Sequence, residues 1–189
     1  MNPARHFLGL FAVVGNWPNW ESYFDLSRGG IRASFIALAL SLPPLYLIAY
    51  AIGQTRAQML GVSFVPPHVP SFIAIAAIFL LSFPIMALVL AMVFDAQDRF
   101  RAWVITRHWA VFFLSLVVGI MFGLTLLTPL PFMVANGVAF AAYLGLLAID
   151  IRLLQKVVGL NWGAAILIGC VIVAVGLTLL MLGIQQINS

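Results

Sequence analysis

From Trp109 to Ile149 the sequence contains no Asp, Glu, Lys or Arg. A stretch this apolar is unsuited to water, and it is about twice as long as one crossing of a hydrocarbon layer ~30 Å thick requires. Near its middle lies Thr128-Pro129-Leu130-Pro131. Closely spaced prolines remove amide donors and oppose a continuing helix, so the stretch divides into two crossings joined by a short turn.

The rest of the chain repeats the pattern. Apolar runs at 33–52, 71–94, 109–128, 132–149 and 162–185 are each long enough to span at about 1.5 Å per residue. Gly53-Gln54-Thr55-Arg56 ends the first run, and Pro66-Pro67-His68-Val69-Pro70 precedes the second. Asp95, Asp98, Arg99 and Arg101 stop the second, and Asp150, Arg152 and Lys156 close the fourth. The expected fold is an all-α polytopic membrane protein, with residues 1–30 as a cytoplasmic, interfacial amphipathic arm and 31–189 as a bundle of five transmembrane helices. Composition agrees, since 7% of residues are charged where an average soluble domain has roughly a quarter.

Orientation follows from the flanking cations. An inside N-terminus places Arg5, Arg28, Arg32, Arg99, Arg101, Arg107, Arg152 and Lys156 on the cytoplasmic side and leaves only Arg56 on the other. The C-terminus then lies opposite the N-terminus, and the lack of large soluble loops suits a bacterial plasma (inner) membrane. A net charge of +4 scattered around the spans forms no basic stripe for nucleic acid. The bilayer and its anionic headgroups are the expected partners.

Phe7, Leu8, Leu10, Phe11 and Val14 recur at near-helical spacing, followed by Trp17, Trp20, Tyr23 and Phe24. Such a segment can lie in the headgroup plane, with Phe7, Phe11, Trp17 and Trp20 at the membrane interface. Equally, it can pack on the bundle or on a partner subunit. The apolar stretch after Arg5 is short and lacks a small-residue cleavage site, so it is expected to be retained.

Chemistry is sparse. There is no GxSxG, HExxH, GxGxxG or P-loop pattern. The span boundaries leave every span interior without an ionisable side chain. Such groups cost about 2.5–3.5 kcal/mol at mid-membrane, so their absence disfavours ion-coupled transport. His6, His68 and His108 fall in the arm, an outer loop and a span boundary, which gives no buried pair for haem. Ser34, Ser41, Ser82 and Ser115 have no base in their own spans. The single cysteine, Cys170, excludes an intrachain disulfide and is expected to be a small core residue. No catalytic residue, metal ligand or cofactor is expected.

Two other patterns concern packing. Gly119 and Gly123, Gly137, Ala141 and Gly145, and Gly169, Gly176 and Gly183 form small-residue faces on the third, fourth and fifth spans. Such faces let helices approach closely, within one chain or between chains. Ser41, Pro43, Pro44, Tyr46 and Tyr50 in the first span, with Ser82 and Pro84 in the second, suggest proline-bent helices around a small polar pocket.

The segment Asp25-Leu26-Ser27-Arg28-Gly29, just before the first span, shares an Asp, a Leu and a nearby Gly with the D-L-Y-G-P motif of Yip1-domain proteins. With its five expected spans, inside N-terminus and short external tail, the chain resembles that family. The resemblance implies a non-enzymatic membrane adaptor. The sequence expectation is therefore a scaffold, adaptor or accessory subunit that meets other membrane subunits or its own copies. The alternative is a small permease or lipid-handling protein for neutral solutes or lipids, built on the proline-broken first two spans.

Overall fold

A computed structural model describes residues 3–187, with side-chain surroundings for 3–176, 178 and 179. The fold is all-helical, and no strand occurs among the described residues. Its helices are α1 (Pro3–Val14), α2 (Arg28–Ala39), α3 (Leu42–Leu60), α4 (Val69–Val93), α5 (Phe100–Leu127), α6 (Phe132–Leu153) and α7 (Trp162–Ile187). A 3-10 turn at Trp20–Tyr23 precedes α2, and a π-helical turn at Leu154–Val158 extends α6. Among the described residues, four helical segments are long and apolar enough to cross a membrane: Arg28–Leu60, Val69–Val93, Gln97–Leu127 and Phe132–Val158.

Several helix ends differ from the sequence expectation. The first apolar run is two helices that meet at Leu40 and Ser41, and α3 continues through Arg56 to Gly61. Pro43 and Pro44 occupy the first turn of α3, where a missing N–H leaves no intrahelical bond unmade. Pro84, by contrast, is inside α4. The helix α5 begins at Phe100 rather than near Trp109, and α6 runs past Asp150. Arg56, Arg101, Asp150 and Arg152, expected as boundary markers, are therefore parts of helices, whereas Asp95 does end α4.

Local chemistry explains the stops. Trp17 N–H donates to Ala12 O at 2.9 Å, Val62 N–H to Ala57 O at 3.1 Å and Ala96 N–H to Ala91 O at 2.8 Å. Each bond closes a helix around a left-handed residue: Asn16 (φ 60°), Gly61 (φ 66°) and Asp95 (φ 51°). Glycine adopts that conformation freely, and Asn and Asp tolerate it best among the others. At the start of α2, Ser27 Oγ accepts from the N–H groups of Gly29 (3.1 Å) and Gly30 (3.2 Å). Asp25 Oδ1 accepts from Ser27 N–H at 3.0 Å. The segment that carries the Yip1-like resemblance is thus a helix N-cap.

The helix α5 is the hub, packed by α1, α2, α3, α4 and α6, while α7 closes the far side against α4 and α6. From Ala102 to Ala110 every residue of α5 is buried, so this part of the helix has no outward face. The glycine faces divide. A Cβ on Gly119 would meet Pro44, one on Gly123 would meet Leu47, one on Gly169 would meet Ile151 and one on Gly176 would meet Phe79. Gly137 and Gly145 have nothing within 4 Å, and Ala141 is exposed. The surroundings of Gly183 lie outside the described residues. Cys170 is exposed and not a core residue, because α7 turns that side away from α4 and α6.

The arm is helical and packs on α5 and α6. His6, Gly9, Leu10, Ala12 and Val13 face inward, whereas Phe7, Leu8, Phe11 and Val14 are exposed, as is Trp17. Trp20 departs from its expected interfacial place: it is buried beside Phe24. His6 stacks between Trp109 (ring centroids 4.4 Å) and Phe24 (5.7 Å), and its Nδ1 meets Tyr23 O at 3.0 Å. Burial lowers the His6 pKa from its ordinary 6.5, with Arg5 adding to the effect and the Tyr23 bond and Asp25 opposing it. The undocked arm therefore binds a proton more readily than the docked one. Docking is favoured fully above the undocked value and is weakened as pH falls through the lowered one. Proteolytic cleavage within 15–19 is expected to accelerate as pH falls below the ordinary histidine value of about 6.5, and His6→Phe is expected to flatten that dependence.

Candidate functional site

The most distinctive side chains lie where α5 meets α6. Arg107 Nε is 2.6 Å from Asp150 Oδ1, with the two side chains 9% and 0% exposed. Both residues lie just beyond the expected span ends at 109 and 149, within helical segments that continue past those ends, and the bundle buries the pair. The contact is an ion pair by distance, but the N–H is not aimed as a hydrogen bond, so neither Asp150 oxygen has an aligned donor among the described residues. The Arg107 guanidinium also lies over the Phe83 ring of α4, 4.8 Å from its centroid.

Hairpin geometry produces the pair. Arg107 lies roughly 30 Å along α5 from the turn and Asp150 roughly 27 Å along α6 from it. The two are nearly level. Equal distances from a proline turn, with opposite charges, were the available sequence signal.

His108, the next residue, is also buried, being only 1% exposed. Its Nδ1 is 3.1 Å from Ser34 Oγ on α2, and that hydroxyl donates to Ile31 O at 2.8 Å. A base therefore does reach a serine, from another helix. Ser34 is fully buried and lies outside the cavity wall described next, so it orients His108 without facing a ligand space.

His108, Arg107 and Tyr143 line a partly open cavity of about 190 Å³ between α2, α3, α4, α5, α6 and α7. Leu80, Phe83 and Ile172 supply part of its largely apolar wall. His108 Nε2 and Tyr143 Oη are buried and have no hydrogen-bond partner among the described residues. A larger depression of about 390 Å³, beside the 3-10 turn and the α4–α5 connection, is lined by Glu21, Asp98, Arg99 and Arg101. These charges are exposed and of both signs, so they need no ligand for compensation.

The expected proline pocket is divided. Ser82 lines the central cavity and donates to Phe79 O at 2.7 Å. Pro84, two residues further along α4, is not part of that wall. Ser41 is buried and donates to Ala37 O at 3.3 Å. Tyr46 donates instead to Pro67 O at 3.1 Å in the α3–α4 connection, and Tyr50 packs edge-on against Phe64. Pro43 and Pro44 set the start of α3, with Pro44 against Gly119. The tyrosines of α3 thus pack on the connection, and the cavity is formed by residues that periodicity alone did not join.

Among the described residues no cluster of three or more His, Cys, Asp or Glu could hold a metal ion. No protein family, curated protein or solved structure compared with the chain matches it.

Proposed function

We propose that this protein is a non-enzymatic membrane protein that takes a small, mostly apolar solute or part of a lipid into its central cavity, as a small permease or lipid-handling protein. The observation that carries this reading is the cavity of about 190 Å³ with buried, unpartnered polar atoms of His108 and Tyr143 in an apolar wall. An apolar cavity of about 150 Å³ can hold a benzene-sized molecule, and polar atoms in the wall fix orientation. The α2–α3 break and Pro84 adjoin the cavity, since Leu38, Leu45 and Phe83 all line the space.

In this reading α7 is the fifth crossing, the N-terminus is cytoplasmic in a bacterial inner membrane, and the outward Phe7, Phe11 and Trp17 rest among anionic headgroups. The Arg107–Asp150 pair then lies near the inner edge of the ~30 Å hydrocarbon layer. Native mass spectrometry of the chain released from nanodiscs tests the assignment. A bound small molecule or lipid is expected, and Val111→Trp, at a residue that lines the cavity and would fill it, is expected to remove it. Equal occupancy in both proteins overturns the assignment.

A second reading, a Yip1-like scaffold or accessory subunit, draws support from α6. Gly137 and Gly145 meet nothing within 4 Å, whereas Gly119, Gly123, Gly169 and Gly176 are taken up by neighbours in the same chain. Disulfide trapping at Ala141→Cys, in a Cys170→Ser background, reports whether a second copy covers that face.

A further inference from the structure

We infer that the central cavity selects an uncharged molecule that brings its own hydrogen-bond donor, such as a phenol or a short-chain alcohol, over an apolar molecule of the same size or an anion. This rests on the cavity being a ligand site, as proposed above.

The selectivity follows from where the hydrogens are. Ser34 has one hydroxyl hydrogen, and Ile31 O receives it at 2.8 Å. The 3.1 Å contact between Ser34 Oγ and His108 Nδ1 is then made by the ring N–H donating to the hydroxyl oxygen. A neutral imidazole carries a single N–H, so His108 Nε2 presents a lone pair. That atom is buried without a partner among the described residues, on a residue that lines the cavity. Ser82 repeats the pattern. Its hydrogen goes to Phe79 O at 2.7 Å, which leaves its oxygen an acceptor in the same wall. Tyr143 Oη is unpartnered too, and a phenol can both donate and accept. Two wall atoms, His108 Nε2 and Ser82 Oγ, can therefore only accept, and the guanidinium of the same wall faces the charge of Asp150.

Charge disfavours an ion. Arg107 is already neutralised by Asp150 at 2.6 Å. An incoming carboxylate would compete with a buried aspartate and leave one anion without a counter-charge in a medium of low dielectric constant. Size sets the remaining limit: about 190 Å³ accommodates one ring with a short substituent, by comparison with the ~150 Å³ that holds benzene.

The test uses the full chain in nanodiscs and three probes of similar size: toluene, 4-methylphenol and benzoate. Saturable binding is measured as the difference between the unaltered protein and Val111→Trp, which cancels partition into lipid. The expected result is 4-methylphenol bound roughly threefold to tenfold more tightly than toluene, the range of one net hydrogen bond, with no saturable benzoate binding. His108→Leu is expected to abolish the advantage of 4-methylphenol while toluene still binds. Tyr143→Phe is a milder second variant, expected to reduce the advantage if His108→Leu does not fold. Equal binding of toluene and 4-methylphenol, or saturable benzoate binding, overturns the inference and leaves the ligand site standing. Failure of all three probes removes the ligand site itself.

Discussion

Asp150→Asn is expected to destabilise the folded chain by about 3–5 kcal/mol, the usual cost of removing one member of a buried ion pair. Asp150 is fully buried and faces Arg107 at 2.6 Å. The substitution leaves the guanidinium inside the bundle beside a neutral amide and the Phe83 ring, with no close counter-charge. An unneutralised buried cation costs far more than the pair it came from, because solvation lost on burial is no longer offset by a close opposite charge. Arg107→Met with Asp150→Leu removes both charges together and is expected to recover most of the loss, since apolar replacements of a buried pair are often neutral. The comparison can be read by denaturant unfolding in mixed micelles and by the fraction of extracted protein that elutes as one folded species. If the single variant is as stable as the unaltered chain, the pair is solvated in the membrane and the site described above is not a sealed one.

That pair also shows where the sequence was readable and where it was not. The apolar runs and Thr128-Pro129-Leu130-Pro131 located the hairpin correctly, because helix length and proline chemistry are local properties. Helix ends were less legible. A charge after a long apolar run reads as the edge of a span, yet α5 begins before Arg107 and α6 continues beyond Asp150. Opposite charges at matched depth can neutralise each other inside a bundle, and that depends on which helices are neighbours. The same dependence hid the Ser34–His108 contact, which joins α2 to α5 across 74 positions. It also left the glycine faces indistinguishable. Gly119 and Gly137 occupy similar small-residue patterns, but Pro44 lies against the first and nothing within 4 Å against the second.

The difference between those two glycines gives the other large effect. A Cβ at Gly119 would stand 2.6 Å from Pro44 Cβ, 3.0 Å from its Cα and 3.2 Å from its carbonyl oxygen. None of these atoms can swing aside as the end of a flexible side chain could. Gly119→Ala must therefore push α3 away from α5, at a cost of about 1–3 kcal/mol for overpacking. Gly30→Ala is expected to do more damage, because its Cβ would fall 1.7 Å from Asp25 O. Relieving that clash means opening the turn in which Ser27 Oγ caps α2, so the cap is lost with the close approach. Gly137→Ala, placed in open space, is expected to change stability by no more than about 0.5 kcal/mol. Measured side by side, the order of stability should be Gly137→Ala, then Gly119→Ala, then Gly30→Ala. A Gly119→Ala protein as stable as Gly137→Ala would mean that α3 and α5 do not touch at Pro44 in the membrane-bound chain.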